Sequence, residues 1–582
     1  MLCVALVALA LCPRTLGFLG EEGVDQYGTQ WFYWFVGDSV SRGELPPAST
    51  TLFFFPWGKD LYAHTGSNIL DAAFAEPFRA LLGPVWGYDL FVALGLLFNG
   101  WAFTRLAARL TEDRLAGAAA ALWVALSPFA LYEVLEGRPT QAIFGLAALF
   151  FAQLIDLRRP GWRAPLLAGL TLALTGYVYW FYAFFCGVAA LVLGLLRVAE
   201  ARPEERASSL ARHALAGGLA MALVLPSALP LLLASAGARV PGLLDVDAWS
   251  LSAVSPTTVE GFPIGLYMLQ PLRASAGFYH VDPQGLQLYS PEHAVLGVVE
   301  PLALIGGWMV AKKSERRWLF ALLALSLLLA TGPIFVLGAS WLPNPFYIGL
   351  VKLLDFLRRL WWPGRAWMLG TLAVGGCLAL TLAALGRAER RLRDVAILGL
   401  LGLLLAEHSA RGLAPFPTWD AAVPAGYRCL AEGPPGAVLE LPYAWSQAHV
   451  YYQTAHGRPI FGGMIEDNPV FTPEPSRALR EENSFVKALL AYAPEDDSVA
   501  PWTPEDRAAL GALGYRYVVL QKSAYSNSTA DPPMIQRARE TWIRRGTRQL
   551  RAALGPAVWE DERTAIFSPW GAPSPCEGHA AP

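Results

Sequence analysis

Long apolar stretches separated by short polar breaks fill the first 410 or so of the 582 residues. Several stretches approach or exceed the ~20 apolar residues that a helix needs to cross the hydrocarbon core of a bilayer. The pattern therefore predicts about eleven membrane-spanning helices. They fall near residues 1–18, 84–104, 115–131, 140–156, 164–179, 180–196, 214–235, 294–311, 318–337, 366–386 and 394–410.

Arginine and lysine are concentrated in alternate breaks between these stretches. Basic residues in short loops stay on the cytoplasmic side of a membrane, so the alternation places the N-terminus inside and the C-terminus outside. It also leaves three larger loops, 19–83, 236–293 and 338–365, on the outer face. The basic clusters are Arg105/Arg109/Arg114, Arg158/Arg159/Arg163, Arg197/Arg202/Arg206/Arg212, Lys312/Lys313/Arg316/Arg317 and Arg387/Arg390/Arg391/Arg393.

The apolar run 164–196 is too long for a single span. Its centre, residues 177–182, is the aromatic sequence YVYWFY. We predict a break there and expect these aromatic side chains at the outer interface, where such residues concentrate in membrane proteins.

Composition agrees with a membrane protein. Hydrophobic residues make up 54% of the chain and charged residues only 16%, against about 25% charged in a typical soluble domain. The net charge of −2 gives no reason to expect a nucleic-acid partner; membrane lipids are the expected surroundings. The six cysteines show no CxxC and no metal-ligand spacing, so no cofactor is predicted.

The composition changes after about residue 411. Residues 438–441 and 515–520 have the character of short strands, and Thr503 followed by Pro504 predicts a capped helix that runs to Gly514. We predict that 1–411 form the transmembrane domain and 412–582 an extracytoplasmic α/β domain. Cys429 and Cys576 are the only cysteines in this second part, and an oxidising compartment favours a disulfide between them.

Acidic residues directly after the first predicted span are candidate catalytic bases. A carboxylate partly shielded from water has a raised pKa and can accept a proton from a nucleophile. Asp25 is the favoured candidate because Trp31 and Trp34 follow it, and Glu21 and Glu22 are its acidic partners. The alternative is a set of solvated loop carboxylates.

A second acidic pair lies in the short outer strip 132–139. Glu133 or Glu136 could complete an acidic pair with Asp25, for proton handling or for a divalent cation. Ordinary solvated acids are the alternative here too.

The outer loop 338–365 is basic, against the topology rule. Lys352, Asp355 and Arg359 recur at i, i+3 and i+7, which predicts one helical face. Together with Arg358 and Arg365 they would form a cationic surface at headgroup depth that can bind the phosphate of a lipid-linked substrate. The alternatives are adhesion to anionic headgroups and a salt bridge with Asp355.

Four segments resemble the GT-C superfamily, polytopic glycosyltransferases that take sugars from polyprenyl-phosphate donors. They are DQYGTQW at 25–31, FFFPWG at 53–58, the arginine-containing segment 357–365 and YQTAHGRP at 452–459. The resemblance implies an all-α polytopic membrane bundle and a general base at the acidic residue of the first loop, which is Asp25. The paired-acid motif of better-known members is absent, since Val24 and Gln26 flank Asp25.

The expected function is a glycosyltransferase of the bacterial inner (cytoplasmic) membrane. Asp25 would deprotonate an acceptor hydroxyl of a lipid, glycan or protein, while Arg365 with Arg358 or Arg359 would bind the departing lipid phosphate. Asp25 and Arg365 are expected to converge on one outer cleft. The alternative is a non-enzymatic protein, either a transporter of lipid-linked glycans or an assembly scaffold. Charges confined mostly to loops and the absence of a visible repeat disfavour transport.

Overall fold

The computed structural model of the protein describes most of the chain. The described residues are 17–62, 69–237, 278–282, 285–289, 297–332, 334–337, 340–354, 357, 363–410, 416–443, 447–463, 472–490, 501–522 and 533–576.

The chain forms two compact units. The first contains Met1–Gly20 and Thr65–Thr418, and the second contains Glu21–His64 and Trp419–Pro582. Much of the predicted first outer loop thus belongs to the same unit as the C-terminal residues. Two short strands, Gly17–Leu19 and Thr418–Asp420, lie where the chain passes from one unit to the other.

The first unit is helical. Each of the ten predicted spans from residue 84 onward contains a helix, and residues 1–16 of the remaining one lie outside the described residues. The helices are Ile69–Leu82, Pro84–Leu110, Arg114–Ala125, Pro128–Leu135, Pro139–Ala142, Gly145–Asp156, Arg163–Val178, Trp180–Glu200, Pro203–Gly237, Val299–Val310, Lys313–Ala330, Pro345–Leu353, Trp367–Ala388 and Arg390–Ala410, with the 3-10 helix Pro363–Ala366. Two hairpins, Phe278–Asp282 with Gly285–Tyr289 and Ile334–Leu337 with Ser340–Pro343, accompany them.

Among the described residues, six helical stretches are long and apolar enough to cross a membrane, so this is a multi-pass membrane protein. They are Pro84–Leu110, Arg114–Leu135, Pro139–Asp156, Trp180–Glu200, Pro203–Leu233 and Pro363–Ala388. The predicted count of eleven is not confirmed. The predicted span 318–337 is also too long: its helix ends at Ala330, because Gly332 takes a positive φ of 64° and Pro333 follows it.

Pro363–Ala388 and Arg114–Leu135 are the two most enclosed of these stretches. Small residues explain the packing of the helix Trp367–Ala388. A Cβ on Gly375 would lie 2.5 Å from Val124 and 2.8 Å from Phe103, and one on Gly376 would lie 2.6 Å from Leu319. Glycine at both positions lets the neighbouring helices approach closely, as is common between helices in membranes.

The five predicted cytoplasmic loops are joined to one another. Ion pairs and electrostatic contacts join each basic cluster, or the residues next to it, to another basic cluster. The clusters therefore lie at the same end of the helices. The contacts are Arg109–Asp156 at 2.7 Å, Arg393–Asp113 at 2.9 Å, Arg317–Glu200 at 2.9 Å, and Arg158 within electrostatic range of Glu200 and Glu315. This arrangement agrees with the expectation that they share one side of the membrane.

The second unit mixes helices with a small sheet. Its helices are Val24–Ser41, Ala425–Glu432, Ala448–His456, Glu474–Glu482, Ser484–Leu490, Pro504–Ala512 and Pro533–Leu554. The sheet runs in the order Trp559–Glu560, Thr564–Phe567, Tyr515–Gln521, Ala437–Leu441, and a separate two-stranded ladder pairs Ser49–Thr50 with Lys59–Asp60.

The elements predicted beyond residue 411 occur at the expected positions. Ala437–Leu441 and Tyr515–Gln521 are parallel neighbours, with Val518 opposite Leu439. The side chain of Thr503 accepts a 3.2 Å hydrogen bond from the backbone N–H of Asp506 and caps the helix Pro504–Ala512. The predicted capped helix and both strands are therefore confirmed.

Candidate active site

Buried polar side chains meet in the first unit at three interruptions of its helices. The backbone of Tyr179 is extended and separates Arg163–Val178 from Trp180–Glu200. The second interruption lies at residues 136–138, and the third is the 3-10 helix Pro363–Ala366. Irregular backbone within a membrane bundle is tolerated where it is enclosed by protein or lines a cavity, and such positions can carry functional groups.

Arg365 is held at a defined place in this cluster. Its Nη1 donates a 2.7 Å hydrogen bond to the Tyr179 hydroxyl, and its guanidinium carbon lies 5.5 Å from the centroid of that ring. Ser326 fixes the adjoining turn, because its Oγ donates to the Ala366 carbonyl at 2.9 Å and accepts from the Gly370 N–H at 3.0 Å. An arginine keeps its charge under partial burial, so the site contains a positioned, half-buried cation.

Glu133 and Glu136 are both paired with Arg138. The buried Glu133 carboxylate lies 3.4 Å from Arg138 Nη1, and the Glu136 carboxylate lies 3.1 Å from Nη2. A charge this deep in the protein needs a partner, which Arg138 supplies. The alternative that these are solvated acids is therefore wrong for Glu133, which is 3% exposed.

Gln141 and Tyr182 complete the cluster. The Tyr182 hydroxyl donates a 2.7 Å hydrogen bond to the Gln141 backbone carbonyl, and Asn99 donates one of 2.7 Å to the next carbonyl, that of Ala142. Glu133 lies within electrostatic range of the Tyr179 and Tyr182 hydroxyls.

The charges of this cluster have different partners. Arg138 is held by two carboxylates, whereas the 2.7 Å partner of Arg365 is a neutral phenol. Both cations are thus positioned by side chains of the cluster.

The aromatic sequence 177–182 was expected at a helix break near the outer interface, and the helix does break there at Tyr179. Tyr179 is 3% exposed, Trp180 8% and Tyr182 1%, so these side chains are buried within the protein. Sequence reasoning consequently missed Tyr179, Tyr182, Gln141 and Arg138 as members of the cluster. A tyrosine-rich break inside an apolar run was the available signal.

The acids of the predicted first loop lie in the second unit. Glu21 is exposed, and Asp25 is partly buried in the first turn of the helix Val24–Ser41. Glu22 is also partly buried and accepts a 2.5 Å hydrogen bond from the Tyr27 hydroxyl. Burial raises the pKa of Glu22, although hydrogen bonds from Tyr27 and Trp419 act against this rise.

The basic outer loop differs from its prediction. The helix expected to carry Lys352, Asp355 and Arg359 on one face is Pro345–Leu353, so it ends before the last two. Its final turn gives way to a non-helical Leu354, with φ −133° and ψ 84°. Lys352 is exposed near its end, whereas Asp355, Arg358 and Arg359 lie outside the described residues.

Three of the segments that carry the resemblance form hydrogen bonds within the second unit, either with each other or with residues beside them. Gln453 accepts a 2.6 Å hydrogen bond from the Trp31 indole and donates to the Leu52 carbonyl at 2.9 Å. The Phe54 N–H donates to the Gly462 carbonyl at 2.9 Å, and the Tyr515 hydroxyl donates to the Phe55 carbonyl at 2.6 Å. These contacts give FFFPWG and YQTAHGRP a structural role.

Cys429 and Cys576 are neighbours in the second unit. Both are buried free thiols, and a hydrogen bond links their side chains. Burial and this hydrogen bond raise the pKa of Cys576. The two thiols are therefore close to each other, while the disulfide between them stays a prediction.

No set of three or more His, Cys, Asp or Glu side chains within the described ranges is arranged to hold a metal ion. The divalent-cation alternative for Glu133 and Glu136 thus has no such set of ligands among these residues. Their ion pairs to Arg138 give both carboxylates another partner.

Comparison with solved structures finds a similar fold. The oligosaccharyltransferase of Archaeoglobus fulgidus, solved as a complex with zinc and sulfate, matches 92% of this chain and 70% of its own, with 12% identity and a TM-score of 0.52. The chain therefore has a fold similar to that of this oligosaccharyltransferase, which agrees with the polytopic bundle that the sequence resemblance implies.

Two further structures are similar at lower scores. The arabinofuranosyltransferase AftD from mycobacteria matches 90% of this chain with 18% identity and a TM-score of 0.49, and this chain spans 36% of its length. ArnT from Cupriavidus metallidurans, bound to undecaprenyl phosphate, matches 98% of both chains with 12% identity and a TM-score of 0.38. No protein-family model and no curated protein sequence matches the chain.

Proposed function

We propose that this chain is a membrane glycosyltransferase that transfers a sugar from a polyprenyl-phosphate donor to a lipid, glycan or protein acceptor on the outer face of the cytoplasmic membrane. The observation that carries the proposal is Arg365, a half-buried guanidinium held on Tyr179 at 2.7 Å. It lies at an interruption of the helices in a bundle with the GT-C fold.

The first role in the proposed reaction is to stabilise the leaving group, the lipid phosphate. When the bond between the anomeric carbon and the phosphate oxygen breaks, its electron pair stays on that oxygen, and the lipid phosphate gains negative charge. A fixed guanidinium at this position stabilises the developing charge without reorganising, and its bidentate geometry suits phosphate. Arg365 takes this role, and Lys352, Arg358 and Arg359 add positive charge for the same phosphate.

The second role is that of the base. The acceptor oxygen attacks the anomeric carbon from the side opposite the phosphate, inverts it, and gives its proton to a carboxylate. Asp25 is assigned this role because it lies partly buried in the first helical turn after the predicted first span. Glu22 is the next candidate, since burial raises the pKa of its carboxyl and so favours proton acceptance.

The test is sugar transfer by the full chain in lipid nanodiscs supplied with radiolabelled polyprenyl-phosphate pentoses and hexoses. Asp25→Asn keeps the size of the side chain and removes its basicity, so we expect turnover to fall about 10²–10⁴-fold with little change in KM. Arg365→Ala should lower turnover and weaken donor binding, because the phosphate loses a charged partner in both states.

Glu21→Gln is the matched control, since it makes the same chemical change on an exposed neighbouring residue. If Asp25→Asn kept near-parental activity and Glu22→Gln lost most of its activity, the role of base would be assigned to Glu22 instead. A folded parent chain that transfers no sugar from any donor would reject the enzyme and favour the transporter or scaffold.

A further inference from the structure

A cleft of about 700 Å³ opens on the second unit, in a part of it that the proposed chemistry does not use. Its volume falls within the ~300–1,000 Å³ of small-molecule sites. Two tryptophans, two carboxylates, two cations and three hydroxyl side chains contribute to its walls. They are Trp34, Trp57, Asp38, Asp60, Arg42, Lys59, Ser49, Thr50 and Thr51.

One wall is a single face of the helix Val24–Ser41 and its C-cap. Trp34, Asp38 and Arg42 recur at every fourth position, so their side chains follow one another along the helix. Arg42 forms an ion pair with Asp38 and lies 3.3 Å from the Glu44 carboxylate. The wall thus presents an aromatic ring beside a paired, solvent-accessible charge.

Another part of the lining is the ladder of Ser49–Thr50 and Lys59–Asp60 with the turn that precedes Lys59. Gly58 has φ +81°, and a Cβ there would lie 2.7 Å from the Thr50 carbonyl oxygen, so this close approach needs glycine. Trp57, beside it, is 39% exposed. The Lys59 ammonium lies 5.5 Å from the centroid of the Phe54 ring, and the residue is buried.

The chemistry of the lining selects among ligand classes. Asp38 and Asp60 offset Arg42 and Lys59, so a phosphate or other anion would meet two carboxylates as well as two cations. An apolar ligand would desolvate four charges without replacing their hydrogen bonds. An uncharged sugar chain satisfies both kinds of group, because its hydroxyls hydrogen-bond to charged side chains and its C–H faces pack on tryptophan rings.

We propose that this cleft binds an uncharged oligosaccharide. The binding itself is independent of the proposed function. Only the further idea that this glycan is the acceptor or a product of sugar transfer rests on the proposed function. Trp34 and Trp57 stack on sugar rings, while Asp38 and Asp60 accept hydrogen bonds from sugar hydroxyls.

The test is direct binding to the full chain in nanodiscs, measured by saturation-transfer NMR and by tryptophan fluorescence. The probes are uncharged tetrasaccharides of glucan, mannan, xylan and arabinan, each titrated into the millimolar range. At least one should bind, and Trp57→Ala should weaken its Kd about tenfold, equivalent to about 1.4 kcal/mol. Asp38→Asn, which preserves size, should weaken the same probe. Trp162→Ala, which removes a 64% exposed tryptophan outside the cleft, should leave binding unchanged.

Three results would overturn the inference: no tetrasaccharide binds, both cleft variants bind like the parent, or inorganic phosphate displaces the bound sugar. Failure here is separable from failure of the proposed function. A chain that binds glycan without transferring sugar keeps the cleft and rejects the enzyme. A chain that transfers sugar although no tetrasaccharide binds supports the enzyme and rejects the glycan-binding cleft.

Discussion

The hydrogen bond between Tyr179 and Arg365 should be measurable in catalysis. Tyr179→Phe keeps the ring beneath the guanidinium and removes only the hydroxyl that accepts the 2.7 Å hydrogen bond. The arginine would keep its charge and lose part of its orientation. We expect sugar transfer to fall about tenfold, which corresponds to ~1.4 kcal/mol of activation free energy. Removing the guanidinium itself by Arg365→Ala should cost about 10²–10³-fold, as for other preorganised donors to a developing charge.

The losses of activation free energy in the two variants should not be additive. Once Arg365 is alanine, the Tyr179 hydroxyl has no guanidinium to position, so Tyr179→Phe in that background should cost almost nothing more. The double-mutant cycle should therefore give a coupling of about 1.4 kcal/mol, the size of the single effect. The assay is the initial rate of radiolabelled sugar transfer, with Kd for the donor measured separately.

Tyr177→Phe is the matched control because it makes the same change two residues away. The Tyr177 hydroxyl donates to the Leu223 carbonyl at 2.9 Å and is not a partner of Arg365. Its rate should stay within about twofold of the parent. Independent, additive losses for Tyr179→Phe and Arg365→Ala would refute the idea that the tyrosine acts by positioning the arginine.

Three further outcomes are expected. Arg458 donates to the Leu430 carbonyl at 2.5 Å and to the carbonyls of Gly433 and Pro434. Arg458→Ala should therefore destabilise the second unit by about 3 kcal/mol and speed its proteolysis. A cleavage rate equal to the parent's would contradict this. Thiol titration of the natively expressed, denatured chain should find Cys429 and Cys576 oxidised, and two titratable thiols at these positions would reject the disulfide. A reporter fused near residue 314 should be cytoplasmic and one near residue 450 external, and an external signal at 314 would break the topology.

Periodicity and local signals were sufficient for much of the fold. The helix break within 164–196 followed from length alone, and the cap at Thr503 from the residues beside it. The shared end of the basic loops followed from charge placement. The first two features depend on residues close together in sequence and the third on the rule that basic loops share one side of a membrane, which is why the pattern could predict them.

The candidate site was only partly predictable. Arg365 was identified because its charge conflicts with the topology rule, and Glu133 because it is acidic. That Arg138 neutralises Glu133, and that Tyr179 is buried and contacts Arg365 186 residues away, depends on tertiary packing. An aromatic residue in an apolar segment is equally compatible with an interface and with a buried site, so composition alone could not decide.

The order of synthesis has a consequence for how the second unit is made. Its N-terminal part ends at His64 and the rest begins at Trp419. At ~5–20 residues per second, a ribosome needs roughly 20–70 s to cross that interval. During this time Trp31 and FFFPWG lack Gln453 and the segment 460–462, with which they hydrogen-bond in the finished protein. The nascent chain must therefore keep an aromatic surface from aggregating until translation is nearly complete, and a recombinant fragment starting at residue 412 would need residues 21–64 supplied beside it.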